Sequence, residues 1–365
     1  MRRDRTVLAA PDSFKGTCAA TEVAEAIAAG ARSAGWDCDL CPVSDGGEGF
    51  GAVLAAHASP GHGSWRTTTV TGPLGTPVAA RWWFAPSEAV IESAAASGLV
   101  LAGGSAGNDP LAATSRGTGE LIAEALRAGA RRVLVGVGGS ASTDGGLGAL
   151  EVLEKTGGLG GAEVLVACDV ETSFVDAAAQ FGPQKGASPT QVEQLRDRLV
   201  VLADRYRERF GVDVTSMSRS GAAGGLAGGL AALGARLVGG FELVAGAVDL
   251  DRRIAAAGIV VSGEGRLDSS SWSGKVVGGV LRSAVSVGVP VLVVVGALGS
   301  GGLPVPAGSS GSDTHTANGP GGQAARHVES RVQVVSLAAR FGDDQANAQP
   351  ALCVKQVVRE HLEGR

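Results

Sequence analysis

Again and again along this chain a short apolar, β-branched run stops in a polar or glycine-rich loop: TVLAAPDSFKG, LCPVSDGGEG, RVLVGVGGSASTDGG, EVLVACDV and GIVVSGEGRLD. Runs without apolar/polar alternation suit parallel strands covered on both faces, and helix-period segments follow several of them. The pattern therefore predicts open α/β sheets whose polar residues collect at the carboxyl ends of the strands, the edge where such sheets bind ligands. The 58 glycines have no three-residue period, so they mark turns and close approaches and not a fibre.

A chain of 365 residues with 44% hydrophobic residues has room for two domains, each with its own core. The reading begins with a strand over Thr6–Ala10, a helix over Thr17–Ala31, a strand over Leu40–Val43 and a helix in GAVLAAHA. Thr67–Val70 and Val78–Phe84, joined by TGPLGTP, read as a hairpin. Strands over Ala89–Ser93, Arg132–Val137 and Glu163–Val170 alternate with helices over Gly117–Ala130, Thr190–Phe210 and Ala222–Ala235. GIVVSG and PVLVVVG read as central parallel strands that join the first strand in one sheet, and VQVVSL and PALCVKQVVREHL supply a last strand and helix. The expected fold is α/β and two-lobed. Residues 1–66 and 245–365 form a discontinuous Rossmann-like parallel-sheet lobe, with a flexible Gly/Ser/Pro loop at 299–325, and residues 67–244 form an inserted mixed α/β lobe.

Several function classes drop out. A net charge of −5 with no Lys/Arg cluster interleaved with aromatics excludes a nucleic-acid partner. No apolar run reaches the roughly 20 residues of a membrane span, and the apolar run before Pro11 is too short for a signal-peptide core, so a cytoplasmic location is expected. Cys18, Cys38, Cys41, Cys168 and Cys353 are odd in number and scattered, as reduced thiols are. His57, His62, His315, His327 and His361 all lie outside the strand-end loops, which disfavours a Ser–His hydrolase or a His-ligated metal. Gly136–Ala141 satisfies G-x-G-x-x-A, but the acidic residue a dinucleotide fold needs about 20 positions on is not convincingly present, so a nicotinamide-dependent oxidoreductase is set aside.

What remains is phosphoryl transfer, which needs cations around the moving phosphoryl group, carboxylates for Mg²⁺ and a carboxylate to orient the attacking hydroxyl. The loops supply Lys15, Lys185 and Arg266 as cations and Asp45, Glu48, Asp144, Asp169, Glu264 and Asp268 as acids, without a P-loop or a protein-kinase motif set. Taken singly, an Asp or Lys beside glycine is a turn former or a cap; Asp12 has such a reading as the cap of the first helix. Asp169, ending an apolar strand, is the acid most readily called functional. SGAAGGLAGG reads equally as close helix packing or as an anion cradle, and Trp82 and Trp83 read as packing residues.

Taken in order, APDSFKG, PVSDGGEG, TGPLGTPV, IESAAASGL, TSRGTGELI, GVGGSASTDGG, ACDV, FGPQKGA, GAAGGL and SGEGRLD resemble the habitual strings of the bacterial type I glycerate kinases, from Val7 to about Leu298. The resemblance implies ATP- and Mg²⁺-dependent phosphorylation of D-glycerate, usually at the 2-hydroxyl, in a cleft between two α/β lobes. On that reading Lys15, Lys185, Asp45 and Asp169 are catalytic, and Asp169, Asp268 and Asp144 serve the metal. Asp12, Ser13, Gly46, Gly47, Glu48, Gly138, Gly139, Ser140, Gly221, Gly224, Gly225, Glu264 and Arg266 bind substrate or nucleotide. D-glycerate is the partner, and a homodimer is the assembly considered. A related small hydroxy acid, or a catalytically silent homologue that binds a nucleotide or organic acid, is the alternative. Thr143 stands where the family usually has Asn, Ser44 where it has Ala and Phe50 where it has Thr; the stretch Glu154–Glu163 is short, and ETSFVDAAAQ replaces the loop that usually follows the ACDV strand.

Overall fold

The computed structural model describes residues 5–59, 61–272, 275–299 and 331–365. The flexible loop expected at 299–325 lies, beyond Gly299, outside the described residues. In chain order the strands are β1 (Thr6–Ala9), β2 (Asp37–Leu40), β3 (Ser64–Thr71), β4 (Pro77–Ala85), β5 (Glu88–Glu92), β6 (Arg132–Gly136), β7 (Glu163–Ala167), β8 (Arg236–Val238), β9 (Ile259–Leu267), β10 (Val291–Leu298) and β11 (Val332–Ser336). The chain divides into two compact units, Met1–Ser44 with Val244–Arg365, and Asp45–Leu243.

The discontinuous unit holds a five-stranded sheet in the order β11-β10-β9-β1-β2, parallel throughout. Its β-branched runs are covered on both faces: Ile259, Val260, Val261, Leu292, Val293 and Val295 are all 0% exposed. One face packs Val7, Ala9, Val261 and Val294 against Ile27 and Val357 of the helices Ala20–Ser33 and Pro350–Glu363. Those helices approach closely at Gly30, where a Cβ would lie 2.6 Å from the Lys355 carbonyl oxygen. Strand order reverses between β1 and β9, a topological switch point at which the residues following β1 meet the end of β9. The strand expected over Leu40–Val43 runs instead over Asp37–Leu40, because Pro11 on the neighbouring strand has no amide to donate to Cys41 O; the Cys41 and Val43 amides still donate to Ala9 O and Pro11 O.

The continuous unit holds a mixed six-stranded sheet in the order β3-β4-β5-β6-β7-β8. β3 and β4 form the expected antiparallel hairpin, in register from Ser64↔Phe84 to Thr71↔Pro77, and β5 to β8 are parallel. Trp82 is a packing residue, 1% exposed, with its indole N–H donating to Thr68 Oγ1 at 3.0 Å. Ile91, Leu121, Ile122, Val135, Leu153 and Val166 fill the core between this sheet and its helices. The helices Arg116–Arg127 and Leu147–Lys155 touch at Gly119, whose missing Cβ would lie 2.6 Å from the Ala149 carbonyl oxygen. Ser188 and Gln191 cap the long helix Pro189–Phe210, which ends at the left-handed Gly211 and covers Phe174 with Leu195, Leu199 and Tyr206.

The unit boundary falls at Ser44/Asp45, ahead of the hairpin at which the sequence reading changes lobe. The helix Phe50–His57 packs on β4 and β5, and Glu92 at the end of β5 accepts hydrogen bonds from the Gly49 and Gly51 amides, which draws residues 45–66 into the continuous unit. The helix expected over Ala222–Ala235 is only Leu226–Ala232, because Ala223, Gly224 and Gly225 all take positive φ (53°, 68° and 88°) and a right-handed helix excludes them. Among the described residues no helix is long and apolar enough to cross a membrane. Trp82→Ala, which empties a large fully buried site and orphans Thr68, should lower the free energy of unfolding by about 3–5 kcal/mol in urea titrations.

Candidate active site

In the continuous unit the loop Asp45–Gly49 crosses the carboxyl ends of the parallel strands, and a lack of side chains permits the crossing. A Cβ at Gly46 (φ +86°) would lie 2.9 Å from the Ala167 carbonyl oxygen, one at Gly136 2.7 Å from the Gly46 oxygen, one at Gly138 2.8 Å from the Gly47 Cα and one at Gly240 2.0 Å from the Asp45 oxygen. Asp45 Oδ1 accepts from the Gly47 amide at 3.0 Å, and Glu48 is exposed. Asp169 follows β7. Its carboxylate accepts from the amides of Gly240 (2.7 Å) and Phe241 (3.1 Å), which open the helix Gly240–Ala247. Burial pushes the Asp169 carboxyl up to about 7, and the charges of Asp45 and Glu242 push the same way against the two amides.

The second group surrounds Lys185, which is 3% exposed and donates to Ser142 O (2.5 Å) and Ser140 Oγ (2.9 Å). Burial pulls its pKa down to about 7, and Asp144 opposes the shift only in part. The loop it faces is turned inside out relative to an ordinary turn. Its carbonyls point into the protein: Gly139 O accepts from Leu99 N, Ala141 O from Asn108 Nδ2 and Ser142 O from Lys185. The amides of Gly138, Gly139 and Ser140 meet no acceptor among the described residues, nor do the buried hydroxyls of Ser142 and Thr143. Converging amides and hydroxyls beside a lysine form a cradle for an anion.

The glycines of SGAAGGLAGG are closely packed against their neighbours. The Gly221 amide is taken by Thr172 O, and a Cβ at Gly224 would lie 2.1 Å from Ser142 O and 3.0 Å from Lys185 Nζ. Gly225 lies against Gly145 and Phe174. Asp144, expected to serve the metal, has both oxygens in hydrogen bonds of its own unit: one accepts from Ser115 N and Ser115 Oγ, both at 2.8 Å, from Gly148 N and from Thr114 Oγ1 at 3.5 Å, and the other from Gly146 N. That carboxylate pins the loop to the helix Leu147–Lys155 and has its lone pairs engaged.

In the discontinuous unit Asp12, Ser13, Lys15, Glu264, Arg266 and Asp268 gather where β1 and β9 meet beyond the switch point. The Asp12 amide donates to Gly263 O, the Ser13 amide to Asp12 Oδ1 and the Ser262 hydroxyl to Ala10 O. Gly265 lets the strands close up, since a Cβ there would stand 3.2 Å from the Lys15 amide nitrogen. Asp12, Ser13 and Glu264 are buried, Asp268 is half-buried, and Lys15 and Arg266 are exposed. Asp12 is not the cap of the first helix, whose N-cap is Ala19.

Among the described residues no group of three or more His, Cys, Asp or Glu side chains is arranged to hold a metal ion by itself. Mg²⁺ ordinarily takes one or two carboxylates and completes its shell with phosphates and water, so the single carboxylate of Asp45 fits it. The sequence reading singled out neither Glu92 nor Asn108. Glu92 ends an apolar strand, as Asp169 nearly does, and that position was a usable signal; Asn108 stands in a polar stretch that offers none.

The sequence matches the glycerate kinase family over residues 7–157 and 152–308. It is 39% identical over 328 residues to the glycerate 2-kinase of Escherichia coli (strain K12), covering 80% of this chain and 85% of that one. It is 38% identical over 328 residues to the glycerate kinase of Bacillus subtilis (strain 168), with the same coverage of 80% and 85%. Among solved structures, the crystal structure of a candidate glycerate kinase 2 from Salmonella typhimurium LT2 superposes with a TM-score of 0.77 at 33% identity, covering 98% of this chain and 97% of that one.

The buried lysine has a consequence for stability. Below pH 7 the native state carries a desolvated ammonium; between pH 7 and 10.5 it releases a proton that the unfolded chain keeps, so this residue makes stability rise with pH across that window. Urea midpoints compared at pH 7 and pH 9 should show that rise in the wild type and its loss in Lys185→Met, a difference on the order of a few kcal/mol.

Proposed function

The chain belongs to the glycerate kinase family and is a kinase, and from that premise we propose that it transfers the terminal phosphoryl group of ATP to the 2-hydroxyl of D-glycerate. The products are ADP and 2-phosphoglycerate. The observation that carries the reading is the presence, in one unit, of a buried lysine before a loop of unpartnered amides and of a half-buried carboxylate whose pKa is raised into the neutral range. The first arrangement suits phosphate oxygens and the second suits a hydroxyl proton.

In this mechanism the Asp169 carboxylate accepts the proton of the 2-hydroxyl as that oxygen bonds to the terminal phosphorus. The bond from phosphorus to the bridging oxygen of ADP breaks, and the leaving diphosphate keeps the electron pair. A carboxyl with a pKa near 7 is matched to that task at neutral pH, being about half ionised and basic enough to take a proton. The amides of Gly138, Gly139 and Ser140, with the Lys185 ammonium, hold phosphate oxygens in place, and they need little reorganisation because the loop's carbonyls are already tied inward. Asp45 would hold Mg²⁺, which would supply neutralisation of charge on the phosphates and leave Asp169 for the hydroxyl proton. In the other unit Lys15 and Arg266 are exposed at the ends of β1 and β9, where their side chains are suited to anionic groups, with Asp12, Ser13, Glu264 and Asp268 near them along the same two loops. A cytoplasmic location accords with both substrates.

The test is ADP release by purified protein with ATP and Mg²⁺, with and without D-glycerate, and NMR assignment of the phosphoglycerate formed. Glycerate-dependent release of ADP and the 2-phospho isomer are expected; ADP release indifferent to D-glycerate would end the reading. Asp169→Asn should lower kcat by at least about 100-fold while the protein stays folded. The free enzyme needs Asp169 ionised and Lys185 protonated, so kcat/KM should rise with pH on the acid side, fall on the alkaline side, and have both limbs near pH 7.

A further inference from the structure

We infer that Asn108 is the positioning residue for Lys185, its side-chain amide joining the turn that carries the lysine to the loop the lysine faces. The inference rests on the kinase reading, in which the Lys185 ammonium meets phosphate.

Asn108 Nδ2 donates to Lys185 O at 2.9 Å and to Ala141 O at 3.2 Å. One planar NH₂ group thus holds two backbone segments that are distant in sequence at a fixed separation, and it does so at the residue whose side chain matters and in the middle of the anion-facing loop. The remaining contacts set the reference frame. Leu99 N donates to Gly139 O (2.8 Å) and Ala141 N to Ser97 O (2.9 Å), so the segment ending at Asn108 is already laced to the loop. Asn108 itself is fixed by its own amide, which donates to Gly104 O at 3.1 Å. The lysine turn, a single 3-10 turn over Pro183–Lys185, ends at Gly186 (φ +90°), where a Cβ would lie 2.3 Å from Ser105 O. Such a short turn has little internal rigidity, since only a turn of hydrogen bonds holds it. The amides of Lys185 and Ala187 both donate to Gly182 O, which fixes the turn on itself, and the contact that ties the Lys185 carbonyl to the anion-facing loop is Asn108.

The chemistry required is narrow. Two donors on one sp² centre match two carbonyl acceptors; an isosteric carboxylate has no donor, and alanine leaves both carbonyls without this partner. Lys185 has a long side chain and its Nζ depends on two short contacts in a buried space, so a shift of its backbone moves the charge directly.

The experiment uses the full-length chain as wild type, Asn108→Ala, Asn108→Asp and Asn108→Ser, the last retaining one donor. Two measurements are made on each: steady-state kinetics with ATP, Mg²⁺ and D-glycerate, and the rate at which acetic anhydride labels Lys185 relative to the exposed Lys15, followed by peptide mass spectrometry. Expected for Ala and Asp are a kcat lower by about 10- to 100-fold, as a displacement near 1 Å produces, with KM for D-glycerate changed less than about threefold. Labelling of Lys185 relative to Lys15 should rise by about tenfold or more as the lysine loosens, with Ser between these variants and the wild type. A kcat within twofold of wild type in folded variants overturns the inference, whatever the labelling shows. A lowered kcat with unchanged Lys185 labelling overturns it as well, since Asn108 then acts by some other route. If the wild type itself does not turn over D-glycerate, the kinase reading fails separately, and the labelling ratio alone decides whether Asn108 holds Lys185. A variant that does not fold is replaced by Asn108→Ser, for which an intermediate labelling ratio is the supporting result and a wild-type ratio the opposing one.

Discussion

The Lys185 ammonium, buried to 3% exposure and held at 2.5 Å by the Ser142 carbonyl, organises the continuous unit around it. A buried cation must have its hydration replaced by oriented acceptors, and here the replacement is a backbone carbonyl and a serine hydroxyl. To present that carbonyl the loop after β6 turns its oxygens inward, and the amides of Gly138, Gly139 and Ser140 are left facing the other way. Gly224 has no side chain for the same reason, since a Cβ there would meet both Ser142 O and the lysine nitrogen. Asp144 completes the arrangement by anchoring the far end of the loop, through Ser115 on one side and the start of the next helix on the other.

The same physics acts with opposite sign at Asp169. Burial lowers the pKa of the lysine and raises that of the aspartate, and both arrive at about 7. A pair of groups driven toward neutrality from opposite directions is what acid–base work at neutral pH requires, and it carries a penalty in folding stability that the well-packed sheet core has to offset. The glycines where the Asp45 loop crosses the strand ends belong to the same compromise. Side chains at Gly46, Gly136, Gly138 or Gly240 would pack more apolar area, yet each would collide with backbone and push the Asp45 loop away from Asp169.

Much of the fold was legible before any coordinates, for reasons that concern individual elements. Ile259–Val261 and Val291–Val295 are continuous apolar runs, which only a doubly covered parallel strand accommodates at that length, and the hairpin of β3 and β4 announced itself by TGPLGTP. The helix after GAAGG was overextended because residue type does not reveal that Ala223 adopts φ 53°, a conformation imposed by its neighbours. The division at Ser44/Asp45 is not legible locally, because Glu92 is far from Gly49 and Gly51 in sequence and nothing nearby says that its carboxylate reaches their amides. Within the site, the aspartate ending an apolar strand stood out because an unpartnered carboxylate there is unfavourable. Asp144 has the same composition of neighbours but a different setting, as an acceptor for five donor groups of its own unit.

By itself the sequence determined the class of fold, the inventory of charged groups at the strand ends and, through an ordered set of motifs, the family. Those follow from local chemistry: apolar runs must be covered, glycine permits tight loops, and motif strings keep their order along a chain. Tertiary structure alone decided which of these groups are buried and what each is bonded to. Whether a lysine is buried, whether a carboxylate has its lone pairs engaged, and whether Asn108 reaches both Ala141 and Lys185 depend on distances between residues remote in sequence. Burial and hydrogen bonding set protonation, and both belong to the folded arrangement rather than to residue type.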